Sequence, residues 1–178
     1  MKNDFQTHNA ALTGVEKLLS PERGATGLMV INAWRPNMKN PDQPILDVPL
    51  ALCDPNTVSE EDVVKTLNTE RPGYRHYYEE LKYNAQQKWY YYPEMKNDEV
   101  LFFKTADVEF VRDESGKVVD VTNTSRGKFP VYHTAFMDTT AVSVDPDTSE
   151  VRIRNEGGDV LSSENMRRSI ESRFYVVY

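Results

Sequence analysis

Gln87-Lys-Trp-Tyr-Tyr-Tyr-Pro-Glu-Met-Lys-Asn-Asp-Glu-Val-Leu-Phe-Phe-Lys104 is the stretch whose reading decides the fold. An aromatic run, Trp89–Tyr92, reaches Pro93. A polar hinge, Glu94–Glu99, follows, and a second apolar run, Val100–Phe103, closes on Lys104. Two runs of strand-forming residues separated by proline and polar residues predict two β-strands joined by a turn. Four aromatics in succession would place large side chains on both faces of the first strand, one toward a core and the other toward a cavity, with phenol hydroxyls as polar handles. Residue type alone equally allows a strand that is simply buried in a sandwich core.

Working outward, the chain is punctuated as a β protein. Leu28–Ala33 is an apolar run stopped at Trp34-Arg35-Pro36, and Ile45–Cys53 is a strand interrupted at Pro49. Tyr74–Tyr83 is favoured as a strand feeding the 87–104 hairpin. Asp107–Arg112 and Val118–Thr122 flank Asp113–Lys117, a hairpin with glycine in its loop. Lys128–Phe136 and Ser169–Tyr178 are further strands, and Glu150–Arg154 alternates like one. Two short helices are expected, at Ala10–Leu19 from its spacing and after Ser59, where Asp62 stands at the capping-box position before Val63, Val64 and Leu67. The segment 138–166 is long and polar, a loop or lid. The expectation is therefore one domain over 1–178, mainly β, a jelly roll or barrel with a few short helices.

Composition excludes several function classes. With 21 basic against 28 acidic residues and a net charge of −7, no cationic footprint exists for nucleic acid or an anionic membrane. Met1–Ala10 is polar and no uncharged apolar run approaches the ~20 residues of a membrane span, so a soluble, cytoplasmic chain is expected. The single cysteine, Cys53, lies in an apolar run and is expected to be buried. The expected partner is a hydrophobic small molecule.

Six segments, in order along the chain, carry a family resemblance: Ile31-Asn-Ala-Trp-Arg-Pro36, Val48-Pro-Leu-Ala-Leu-Cys-Asp54, Trp89-Tyr-Tyr-Tyr-Pro-Glu-Met95, Asp98-Glu-Val-Leu-Phe-Phe-Lys104, His133-Thr-Ala-Phe136 and Arg167-Arg-Ser-Ile-Glu-Ser-Arg173. With these the chain resembles the non-haem iron, 2-oxoglutarate-dependent oxygenase-like proteins that include the cephamycin methoxylation component, gibberellin-desaturase-like proteins and fungal meroterpenoid oxygenases. The resemblance implies a double-stranded β-helix, the cupin-like jelly roll. It also implies one iron held by two histidines and a carboxylate.

His133 matches the distal histidine of that pattern, and Arg167 with Ser169 resembles the arginine-x-serine pair that grips the far carboxylate of 2-oxoglutarate. The family's H-x-D pair falls on Lys2-Asn3-Asp4, which keeps the carboxylate and replaces the histidine by a lysine, a cation that repels a metal ion. Where relatives read H-R-W-Y-Y-F-P, this chain has Gln87-Lys88-Trp89. The resemblance thus implies a shortened member whose metal residues reduce to Asp4 and His133, with His8 as a conceivable third ligand.

Three functional expectations follow. The first is a natural-product biosynthetic enzyme without a cofactor, performing a non-redox step such as cyclisation, a pericyclic reaction, isomerisation or dehydration. Trp34, Tyr92, Phe102, Phe136 and Arg173 would hold the substrate, and His133, Lys104, Tyr90 and Arg167 would polarise it or move protons. The second is an Fe(II) and 2-oxoglutarate-dependent hydroxylase or desaturase. The third is a non-catalytic subunit that forms a homodimer or a heterodimer with an active homologue.

Overall fold

The computed structural model describes residues 24–71, 74–123, 129–154 and 166–178. The expected helix at 10–19, and Lys2, Asp4 and His8, lie outside the described residues. Eleven strands follow in order among them: β1 Gly27–Pro36, β2 Leu50–Cys53, β3 Val63–Arg71, β4 Tyr74–Leu81, β5 Trp89–Tyr91, β6 Leu101–Arg112, β7 Val118–Asn123, β8 His133–Ala135, β9 Val142–Val144, β10 Val151–Ile153 and β11 Ser169–Val177. Two single-turn 3-10 helices, Pro55–Thr57 and Glu60–Asp62, lie between β2 and β3. No helix among the described residues is long and apolar enough to cross a membrane.

Four strands form one sheet in the order β11-β1-β6-β7, three form a second in the order β5-β2-β8, and β3-β4 and β9-β10 are separate hairpins. Every pairing is antiparallel. Alternation along β1 sends Asn32, Trp34 and Pro36 to one side, where they are buried. Trp34 and Phe103 from the first sheet meet Leu50 from the second, with Met38, Ile45 and Met95 completing the apolar layer. A second cluster of Cys53, Val58 and Tyr132 ties β2 to the β3-β4 hairpin through Val63 and Leu81. Two antiparallel sheets face to face over such a layer make the mainly β jelly roll that the sequence predicts.

The stretch 87–104 departs from its expected hairpin. β5 pairs with β2, Trp89 opposite Cys53, whereas β6 pairs with β1 and β7. The connection carries the chain from one sheet to the other. Glu94 takes a left-handed turn at φ 53°, Met95 accepts the Ile45 N–H through its carbonyl oxygen, and the Asn97 side chain clasps Met38 from both sides (2.8 and 2.9 Å). The aromatic run does not supply one core face, since Trp89, Tyr90 and Tyr91 are all exposed. Nor does β4 feed β5, because it pairs with β3.

The helix expected after Ser59 is the second correction. Asp62 does return to the Ser59 N–H (3.2 Å), as a capping box requires, but the chain leaves after one turn into β3. Val63, Val64 and Thr66 are β-branched, and seven residues of β3 find a partner in β4, so pairing overrides the helical spacing. Within 138–166, β9 and β10 form a hairpin that fully buries Val142. The Asp113–Lys117 turn occurs as expected, with Gly116 at φ 80°.

Candidate functional site

The inner face of the first sheet carries a polar track beside the apolar layer. Register sets Ser169, Glu171 and Arg173 of β11 opposite Pro36, Trp34 and Asn32 of β1, so all six share one face. Asn32 is fully buried and acts as the hub: its Nδ2 donates to Glu171 Oε1 at 2.7 Å, while its Oδ1 accepts from Arg173 Nε at 3.2 Å and from Thr105 Oγ1 at 3.3 Å. Arg173 also lies 3.8 Å from Glu171. A buried amide with its polar atoms engaged holds the two charged side chains in place.

Arg167 stands at the end of this track. Its guanidinium lies over the Trp34 ring at 5.2 Å and donates to Ser169 Oγ at 3.1 Å, and its backbone N–H donates to Asp47 Oδ2 at 3.0 Å. Burial pulls the Arg167 pKa below its ordinary value, partly opposed by the Asp47 charge. Among the described residues no carboxylate lies within ion-pair distance of that guanidinium. A half-buried, stacked cation with donors to spare is a receptor for an anion. Asp47 is buried, and its Oδ1 has no hydrogen-bond partner among the described residues.

His133 belongs to the same neighbourhood. Its ring packs at 4.7 Å on Phe103, a member of the Trp34 cluster, and its Nδ1 lies 3.3 Å from the Val131 carbonyl oxygen. Its side chain is otherwise exposed at the strand start.

Lys104 leaves β6 on the face opposite Phe103. It lines a cavity of about 500 Å³ with Glu60, Lys65, Glu79, Asp107 and Phe129. Its Nζ donates to Asp107 Oδ2 at 2.9 Å, and the Tyr178 hydroxyl donates to Asp107 Oδ1 at 2.9 Å. On the far wall the Tyr132 hydroxyl donates to Glu79 Oε2 at 2.7 Å. Burial, and then this hydrogen bond, push the Tyr132 phenol well above the ordinary tyrosine range.

Of the expected residues, the structure brings Trp34 and Arg167 into contact and ties Arg173 to the same face, with His133 one ring away. Tyr90, Tyr92 and Phe102 are 59, 53 and 68 % exposed, so none is enclosed in a pocket. Phe136 packs edge-to-face on Tyr91 at 5.0 Å. Asn32 and Asp47 were missed by sequence reasoning. Asn32 alone carried a signal, as a polar residue inside the apolar run Val30–Ala33. Among the described residues no three histidine, cysteine or acidic side chains gather as a metal site.

A sequence profile described as "Oxidoreductase/YMDC permease-like domain" matches residues 3–155. The chain belongs to this family. Another similarity is to the Fe(II)/2-oxoglutarate-dependent dioxygenase nvfI of Aspergillus novofumigatus, 34% identical over 82 residues that cover 45% of this chain and 28% of that protein. Solved structures of the iron and alpha-ketoglutarate-dependent endoperoxidase NvfI and of a single-substitution variant match at TM-scores of 0.55 and 0.57 with 22% identity. They cover 97% of this chain and 48 and 49% of theirs. This oxidoreductase/YMDC permease-like chain therefore spans about half the length of those structures, and at that identity they share its fold.

Proposed function

We propose that the chain is an enzyme of natural-product biosynthesis that anchors a carboxylate of a small, largely apolar molecule at Arg167 and Ser169. The observation that carries this is the Arg167 guanidinium, stacked on Trp34, bonded to Ser169 and with no carboxylate of the described residues within ion-pair distance. Trp34 and Phe103 supply apolar surface beside it, and His133, packed on Phe103, is a group able to move a proton.

The favoured reading takes the anchored carboxylate as the substrate's own and the step as non-redox: a cyclisation, pericyclic reaction, isomerisation or dehydration of a bound, folded chain. Its support is the donor set. His133 is the only expected iron ligand among the described residues, and Lys2 occupies the place where the family carries its first histidine. Asp4, the other ligand that the resemblance implies, lies outside the described residues, and no step is routed through a metal.

A second reading is supported by the family and by the name of the curated relative: an Fe(II)/2-oxoglutarate-dependent oxidation, with the narrower kinship to gibberellin-desaturase-like and meroterpenoid oxygenases. The far carboxylate of 2-oxoglutarate would then occupy the Arg167–Ser169 pair, which suits it as well as it suits a substrate acid.

Titration of the purified chain with 2-oxoglutarate, with and without Fe(II) under anaerobic conditions, separates the two. Binding with a visible charge-transfer band assigns the oxidative reading, and no response assigns the non-redox one. In either case Arg167→Ala removes a charge-assisted interaction worth about 1.5–3 kcal/mol, so carboxylate affinity falls roughly ten- to a hundredfold. Unchanged carboxylate affinity in that variant overturns the proposal.

A further inference from the structure

β11 has a hydrogen-bonded neighbour on one side only among the described residues. Tyr178 exchanges both backbone bonds with Gly27, and the Arg168 carbonyl accepts from Asn37, so even-numbered positions of this segment spend their backbone groups on β1. Ser169, Glu171, Arg173, Tyr175 and Val177 consequently turn theirs to the open edge. The edge is nine residues long, holds no proline, glycine or lysine, and keeps unbroken register with β1. Proline, lysine and bulges blunt the edges of natural sheets, and β11 has none of these, its only charges being Glu171 and Arg173. Its outer face presents Ile170, Phe174 and Val176, each more than 40 % exposed.

We infer that a second copy of this chain pairs antiparallel along β11, with the two-fold axis at Ser172. Side-chain charge selects that register. With the axis at Ser172, Glu171 stands opposite Arg173 of the partner subunit and Arg173 opposite Glu171 of the partner subunit. Moving the axis to Glu171 or to Arg173 sets like charge against like, and directly opposed like charges destabilise a pair. The same register places Ile170 against Phe174 of the partner subunit, twice by symmetry, flanking the Ser172 pair.

The backbone agrees with the side chains. The outward-facing residues 169, 171, 173 and 175 become hydrogen-bonded pairs and contribute about eight bonds. Ser172 becomes a close, non-hydrogen-bonded pair. The result is one continuous eight-stranded sheet with Glu171 and Arg173, the charged end of the Asn32 track, at its centre.

Ser172→Cys tests the register. Non-hydrogen-bonded antiparallel partners lie about 4.5 Å apart at Cα, inside the range that a disulfide spans. Cys53 is buried and offers no competing thiol. In a Ser169→Cys control the two thiols would lie about 20 Å apart along the strands. The full chain is followed by sedimentation over about 1–100 µM, and both variants are oxidised and run on a non-reducing gel. A concentration-dependent dimer, together with cross-linked Ser172→Cys and uncross-linked Ser169→Cys, is expected. A monomer throughout overturns the inference, as does a dimer in which Ser172→Cys stays reduced or Ser169→Cys cross-links equally.

Discussion

Replacing Tyr132 by phenylalanine keeps the ring buried beside Cys53 and Val58 while deleting one hydroxyl, the donor to Glu79 at 2.7 Å. A hydrogen bond to a charged group contributes about 1.5–3 kcal/mol, but the Glu79 side chain is 35 % exposed, so water partly replaces the lost donor and the lower end, about 1–1.5 kcal/mol, is expected. For a chain of this length that lowers the melting temperature by about 2–6 °C. The pH dependence is the sharper test. The folded phenol titrates above its ordinary value, chiefly because it is buried, while the unfolded tyrosine titrates near pH 10. A raised pKa gives stability that is complete below about pH 10 and falls by about 1.4 kcal/mol per unit above it, because the unfolded chain ionises first. Urea midpoints of wild type and Tyr132→Phe should therefore differ by a constant amount from pH 7 to 9 and converge within about one unit above pH 10. Equal stability at pH 7, or a gap that persists or widens through pH 11, would refute the reasoning.

Three other outcomes follow from particular contacts. Asn97→Ala removes both side-chain bonds to Met38 and should cost about 1–3 kcal/mol, measured as a shift of the urea midpoint at constant slope. Gly27→Ala would bring a methyl within 2.5 Å of the Tyr178 ring and 2.6 Å of the Val108 carbonyl oxygen, so hydrogen exchange should quicken in β11 before β7. The Cys53 thiol, buried and with its pKa raised by that burial, should react with a thiol reagent only at the rate of unfolding, and reaction at a free-thiol rate would contradict its placement.

The strands at 27–36 and 169–177 were legible from apolar runs bounded by proline or polar residues, whereas the runs at 100–103 and 107–112, read as two strands, are the one continuous strand β6. Which strand lies beside which was not legible. Two adjacent runs read as a hairpin from proximity alone, and only the clasp of Asn97 on Met38, a contact across 59 residues, shows that the chain changes sheets at Pro93–Glu99. The misread helix has a similar cause: Val63, Val64 and Leu67 fit both periods, and the partner strand that decides lies beyond the local window. In the site, Trp34 and Arg167 were named separately from motif residues, and their stacking was not foreseen. Nor was the burial of Asp47, because an aspartate in a loop carries no mark of burial until its neighbours close over it. The aromatics Tyr90, Tyr92 and Phe102 invited assignment to a cavity by residue type, and their exposure is a property of packing that composition does not encode.

The central strand β1 has its two neighbours far away in the chain, with Leu28 meeting Val108 on one side and Val177 on the other. Such pairings are slow to form, since loop closure must precede any reward, and folding in milliseconds to seconds rather than microseconds is expected. During synthesis β1 can gain β6 soon after residue 112 has been made, but its second edge waits for β11, made after β7, β8, β9 and β10. For that interval the sheet is three strands wide, with Trp34 uncovered by Arg167 and the Asn32 amide without Glu171 or Arg173. Until β11 pairs, that side of the sheet is the least complete surface of the folding chain, and it is where a chaperone would first be needed.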